Sequence, residues 1–578
     1  MKKIIAIMLV LVMLVGTLAS CKSEEGNGSE SASGSSMLNN WWNKWTDAVG
    51  NGDSIDGDFD DDDDGDGFSG DNSWNPRETG GSRPSGSYTE SIKETDIYGA
   101  TKFESAVPAN PEMEVIDLVV AYRDDLRYSR EWFSVDGATD ELSAPITIRN
   151  DTVNKMLDTN IQYKILGDGD YETCVEAYID VLVNDVLSGS HQYDIIAGHS
   201  NAIARAEVRD VICNLADKTM FPYFDFSLPC WNQTLVKNTK VNGKLYYVTG
   251  DMNLSTIDSM IVTFVNKKLY NEKKQATDPE DIQDVAIEGK WDYEEMYKWS
   301  VRWSDFDNNG ENDCTDRHGI SAAFDSTTLD AIPAAWDLEF VKTSSSDKHS
   351  YNIIGNAKIY EAITKVTNLF DERVSEGVIN GDDPEKCSLG SGFSEPIIHF
   401  VNDRAVFTVH KLYASEDDNM AMRNMASEYG LLPVPKYDKS QTNYGTIAHE
   451  SYTLVAVLDH SKCDKPTYGK AVSAWLQISN EVSYTDVYGY YINRIVKPHY
   501  FGCNDANGTV TKSIKIFNMI CDNVEFDFAT VYSPQLNQIM NTCWRDAVME
   551  ETTAEDVYVA NKDTFDAELA ALDERLAQ

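Results

Sequence analysis

A chain of 578 residues is long enough for two or more domains with large cores. Its net charge of −46 at pH 7, spread along the whole length, repels phosphate backbones and sets nucleic acid aside as a partner. Of the ten cysteines, the nine after Cys21 are an odd number, widely spaced and without a C-x-x-C pair, so neither a zinc site nor a disulfide scaffold is indicated.

In chain order, Lys2 and Lys3 form a basic start, Ile4 to Val15 an apolar run, and Leu18-Ala19-Ser20 a small-residue end before Cys21. That order describes a secretory leader, and the run is too short to span a bilayer comfortably. The four residues Leu18 to Cys21 resemble the lipobox of bacterial lipoproteins. The resemblance implies cleavage before Cys21 and lipidation of Cys21, hence a cell-membrane anchor on the extracellular face. Residues 21–108 are rich in Ser, Gly, Asn and Asp, with the run Asp60 to Asp64. They cannot bury enough apolar surface to offset their ordering entropy and are expected to form a disordered acidic tether.

From Met113 the pattern changes. Met113 to Tyr122 reads as a strand, Asp151 to Asp158 as a short helix and Asn160 to Leu166 as a second strand. Asp170 to Leu187 places Val175, Tyr178, Ile179, Leu182, Val186 and Leu187 at helical spacing, and Tyr193 to Ala197 is a short apolar run ending at Gly198. Strand, helix, strand, helix, strand predicts a layered α/β domain, whose ligands collect at the carboxyl ends of the strands. The loops after Ala121 and Gly198 are therefore the first candidates for a site.

Six segments then recur in a known order. They are Tyr193 to Gly198, Phe224 to Trp231, Val241 to Val248 followed by Gly250-Asp251, Val262 to Tyr270, Arg404 to Phe407, and Tyr429 to Lys436. Together they resemble the family 1 extracellular solute-binding proteins of ABC importers. The chain departs from the family pattern at Cys230, where a Trp is usual, and at Asp403-Arg404, where a Gly is usual. The resemblance implies an α/β, two-lobed periplasmic-binding-protein-like fold of type II, hinged around an interlobe ligand cleft. One lobe is expected over 109–260 with a return at about 440–480, the other over 261–439 with 481–578. It also implies ABC permease subunits as partners, a small solute (most often an oligosaccharide) as cargo, and a monomer.

Position in the family pattern nominates Tyr122, Arg123, His199, Asn201, Trp231, Asp251, Trp336, His410 and Tyr452 as ligand contacts, each with a core or hinge role as the alternative. The 12 Trp and 29 Tyr offer flat faces on which sugar rings could stack. His410 with Lys411 and His449 with Glu450 invite an acid–base reading, but no nucleophile is placed beside either pair.

Asp305 to Asp316 holds the sharpest chemical motif. Asp305, Asp307, Asn309, Glu311 (through its carbonyl), Asp313 and Asp316 match the oxygen spacing of a calcium-binding loop, with Gly310 at the tight turn. The helix before it is expected to begin at Asp292, with Glu295 completing a capping box. A structural Ca²⁺ and a solvated Asx-rich turn both remain open here, since position 12 is an Asp, which is short for bidentate reach. Two other functions stay in view: a surface sensor or adhesin using the same fold, and a secreted carbohydrate hydrolase, which would need two carboxylates flanking a scissile bond.

Overall fold

The computed structural model describes residues 103–109, 111, 113, 117–123, 129–133, 141–166, 171–303, 316–322, 327–344, 348–369, 395–415, 422, 425–460, 466–501, 508–526, 531, 540–549 and 552–577. The leader, Cys21, the tether up to residue 102 and Asp305 to Asp313 lie outside them; the last tether residues, 103–108, are described, and Val107 among them is buried. Among the described residues the strands are β1 (Asp117–Arg123), β2 (Asn160–Leu166), β3 (Ile195–His199), β4 (Ile261–Asn266), β5 (His318–Ser321), β6 (Val341–Thr343), β7 (His349–Tyr351), β8 (Ala405–Lys411), β9 (Tyr429–Leu432), β10 (Thr446–Ile447), β11 (Thr453–Val457) and β12 (Val524–Glu525).

The first lobe is built on the sheet β11-β3-β1-β2. β1 is parallel to both β2 and β3, as helical crossovers require, while β11 returns antiparallel to β3 from more than 250 residues downstream. Side chains alternate across β1: Leu118, Val120 and Tyr122 enter one core with Trp132, Trp231 and Trp475, and Ala121 enters the other. β3 is buried along its whole length, as its unbroken apolar run predicts for a strand covered on both faces. The Tyr178 hydroxyl, from the helix Tyr171–Ser188, donates to Ala197 O at 2.9 Å and lies 3.2 Å from Ala121 O, tying that helix to β1 and β3.

The second lobe is built on β5-β8-β4-β9. Its central strands, β4 and β8, are antiparallel and fully buried. Asn266 closes β4 and caps the next helix, accepting from Leu269 N at 3.1 Å. One apolar core runs from Ala121 and Ile196 of the first sheet through Phe264 and Phe407 of the second to Leu576 near the carboxyl terminus. Among the described residues no helix is long and apolar enough to cross a membrane.

Two sequence expectations are corrected in detail. The first helix runs Ser143–Leu157, starting eight residues before Asp151, because no side chain caps its start to mark it. At Asp292 the capping box is half made: Asp292 Oδ1 accepts from Glu295 N at 3.0 Å, but the Glu295 carboxylate turns to Lys298 Nζ at 2.7 Å and Trp299 Nε1 at 3.1 Å.

Candidate functional site

The two sheets meet at a junction made of buried polar groups. The segment Ser129–Phe133, beyond β1, supplies two of them. Arg130 Nη2 pairs with Asp258 Oδ2 at 2.9 Å, and both side chains are nearly inaccessible. Tyr500 donates to Asp258 Oδ1 at 2.7 Å, and Tyr491 donates to the same oxygen. A buried pair is tolerable only with its remaining lone pairs satisfied, and the two tyrosines do that. Glu131, fully buried, accepts from Ser255 N at 2.5 Å and from Thr453 Oγ1 at 2.8 Å. Burial pushes its carboxyl up to about 7, against the pull of the hydrogen bonds from Ser255 and Thr453. Arg149 is buried beside it, with its guanidinium donating to the carbonyls of Glu131 (2.7 Å) and Trp132 (3.1 Å). These contacts lock the end of β1, the start of β4 and β11 into one unit.

His199 at the end of β3 and His410 near the end of β8 both bury at this junction, with His449 and Lys411. His449 N donates to Ser259 O at 2.8 Å, and its Nδ1 lies 3.0 Å from Ser451 Oγ, to which Lys411 Nζ donates at 3.4 Å. Burial holds His449 well below the usual imidazole range, and Lys411, His199 and His410 push in the same direction. Tyr452 is packed edge-on to Phe526 at 5.4 Å, its phenol raised by burial.

The other nominated residues sit elsewhere. Tyr122 is buried against Phe133, ring centroids 5.4 Å apart. Arg123 ends β1 half-buried, and Asn201 is half-buried in the first turn of the next helix. Trp231 is 2% exposed, boxed by Phe224 and Phe226, and its indole N–H donates to Gln477 Oε1 at 3.0 Å. Asp251 follows it across a bridge, its N–H donating to Cys230 O at 2.9 Å. Trp336 is 1% exposed and donates to Pro435 O at 2.9 Å. Of the nominated metal residues only Asp316 is described, and it is fully buried.

A cavity of about 940 Å³ opens between the lobes, near the upper end of the roughly 300–1,000 Å³ typical of small-molecule sites. The helix Gln233–Thr239 and Val241 wall it from the first lobe, through Lys237, Asn238 and Lys240. Asp330, Pro333, Ala334 and Asp337 to Val341, with Thr343 and His349, wall it from the second. The stretch Ser440 to Asn443, together with Gly445, Ile447 and Ala448 to Glu450, crosses between them. Asn523, Glu525, Met540, Asn541 and Trp544 complete it from the carboxyl-terminal part of the chain.

None of the nine nominated contacts lines this cavity, although His449 and Glu450 do. Its chemistry is mixed: amides at Asn238, Gln441, Asn443, Asn523 and Asn541, lysines on the first-lobe wall, and Asp337 and Glu339 opposite. Its aromatic rings, apart from the histidines, are Phe340 and Trp544, both buried, and Trp544 donates to Leu329 O at 2.8 Å. Most of the tryptophans are core: Trp132, Trp291, Trp299, Trp303, Trp336 and Trp475 are among the largest fully buried side chains and do not line the cavity. Large rings give the most burial per residue, and a body with two sheets takes them inward.

No family model matches the sequence, and no curated protein matches it. Among solved structures the chain is similar to the sugar-binding protein MalE of Xanthomonas citri, at 11% identity over 80% of this chain and 98% of that one, with a TM-score of 0.49. It is similar to the galacto-N-biose/lacto-N-biose I-binding protein of Bifidobacterium longum at 14% identity, over 79% of this chain and 98% of that one, TM-score 0.48. An ABC substrate-binding protein of Listeria monocytogenes, solved with cycloalternan, matches at 12% identity over 79% of this chain and all of that one, TM-score 0.45. All three of these solved proteins are binding proteins.

Proposed function

We propose that the protein is a lipid-anchored, extracellular solute-binding protein that captures a carbohydrate between its lobes and hands it, unaltered, to an ABC permease. The observation that carries this reading is the cavity of about 940 Å³ whose walls come from both sheet-bearing halves. A site divided in this way links cargo binding to the relative position of the lobes. Its five amide side chains offer donors and acceptors side by side, the pairing that hydroxyl groups need. Support for the anchor comes from the leader and Cys21, and support for the transport role from the six ordered segments.

Within the same reading, Asp305, Asp307, Asn309, Glu311, Asp313 and Asp316 hold a structural Ca²⁺ on the strength of their spacing. The test of the main proposal is a thermal-shift screen of neutral oligosaccharides, each recovered afterwards and sized by chromatography. A true cargo at one hundred times its Kd stabilises the native state by about 2.7 kcal/mol. It returns at its original length. Shortened products, or no shift with any sugar, would refute the proposal.

A further inference from the structure

We propose that the carboxyl-terminal helix, Ala554–Ala577, is a strap that fastens the lobes together beside the cavity and must release from the first lobe before the cavity exchanges its contents. The body of the helix belongs to the second lobe. Tyr558, Phe565, Leu569 and Leu572 are buried, and the Tyr351 hydroxyl of β7 donates to Phe565 O at 2.8 Å. In its last turn the Asp573 carboxylate lies 2.5 Å from Nδ1 of His349, a cavity-lining side chain.

The same turn also reaches the first lobe. Arg575 Nη2 lies 3.4 Å from Glu207 Oε2, at the end of the helix that follows β3. The Asn242 side-chain amide, at the tight turn after the helix Gln233–Thr239, donates to Leu576 O at 2.8 Å. Leu576 O is among the end carbonyls that a helix cannot satisfy internally, so this contact gives it a partner. Upstream the chain crosses in the same way: Asn238 donates to Phe526 O at 2.8 Å and Tyr247 to Val531 O at 3.1 Å on the first-lobe side. On the other side Arg545 grips Asp330 at 2.8 and 2.5 Å.

The two anchorages are unequal. On the second lobe the helix is held by buried apolar rings, and on the first by one hydrogen bond and a loosely spaced ion pair whose arginine is 28% exposed. Glu207 itself is buried at 7% exposure, but two polar contacts hold less than a row of buried apolar side chains, so the first-lobe side is where the strap lets go.

The test is hydrogen exchange on the full chain without cargo, comparing wild type with the double variant N242A/R575A. Losing both contacts is expected to speed exchange of the last turn, residues 573–577, about tenfold. Because the lobes then part, amides at Asp337 to Val341 on the far wall, which neither substitution touches, are expected to speed up as well. An increase confined to the last turn, or none, would overturn the proposal. If the double variant unfolds, Asn242→Ala alone, which removes the first-lobe hydrogen bond and leaves the ion pair, is expected to show the same two-site pattern at smaller amplitude. No cargo enters the experiment, so its outcome is independent of whether the protein carries a sugar.

Discussion

Glu131 gives the sharpest quantitative expectation. Its carboxyl is raised from an ordinary value of 4.5 to about 7, first by burial, with hydrogen bonds from Ser255 and Thr453 opposing. The folded chain therefore holds this proton more tightly than the unfolded one. Stability is fully present below pH ~4.5, falls as pH rises towards ~7 and levels off above it, a total of about 3 kcal/mol. Glu131→Gln removes the ionisation while keeping one oxygen for Ser255 N and presenting its amide to Thr453 Oγ1. The variant should match wild type within about 1 kcal/mol at pH 5, the cost of one altered hydrogen bond. At pH 8 it should be the more stable of the two by about 2 kcal/mol, since the penalty for a buried charge is gone. Urea midpoints of both proteins at pH 5, 6, 7 and 8 make the comparison, with every other titrating group common to both. A gap between the two that does not change with pH would refute the burial argument.

Three further outcomes follow from packing and from the calcium proposal. Trp231→Ala empties a closed box of rings and takes one of two donors from Gln477 Oε1, and should cost about 3–5 kcal/mol in chemical unfolding. Gly445→Ala drives a Cβ into the backbone carbonyl of Ala334, so the cavity-lining stretch must move. It should cost about 1–3 kcal/mol and shrink the thermal shift that the cargo sugar gives in the oligosaccharide screen. Saturating Ca²⁺ should stabilise the protein by about 2.7 kcal/mol at one hundred times its Kd, and the double change D305N/D313N should abolish that gain in thermal unfolding.

Much of the frame was legible in residue order. β2 is bounded by Asn160 and Leu166 as its alternation predicts, and the helix Tyr171–Ser188 follows its apolar spacing closely. Asp292 announces its helix because a short side-chain oxygen before an amphipathic run has one evident use, whereas the cap at Asn266 emerged only from the structure. The start of the helix Ser143–Leu157 was not legible, since its cap position is Leu142 and Pro145 sits in its first turn. The cavity was legible least. Its walls come from stretches around 240, 335, 445 and 525–544, and no local pattern brings these together. Reading the strand ends found the junction instead, where His199 and His410 converge on His449. Trp231 and Trp336 are buried because each has a carbonyl-type partner for the indole N–H, so burial leaves that donor paired.

The most direct trial of the whole account is a crystal structure with the sugar that shifts unfolding most in the oligosaccharide screen. The account predicts an intact sugar between the Lys237–Lys240 wall and the Asp337–Val341 wall, within hydrogen-bonding reach of Asn238 or Asn541. Sugar bound outside this cavity, or found cleaved within it, would contradict it.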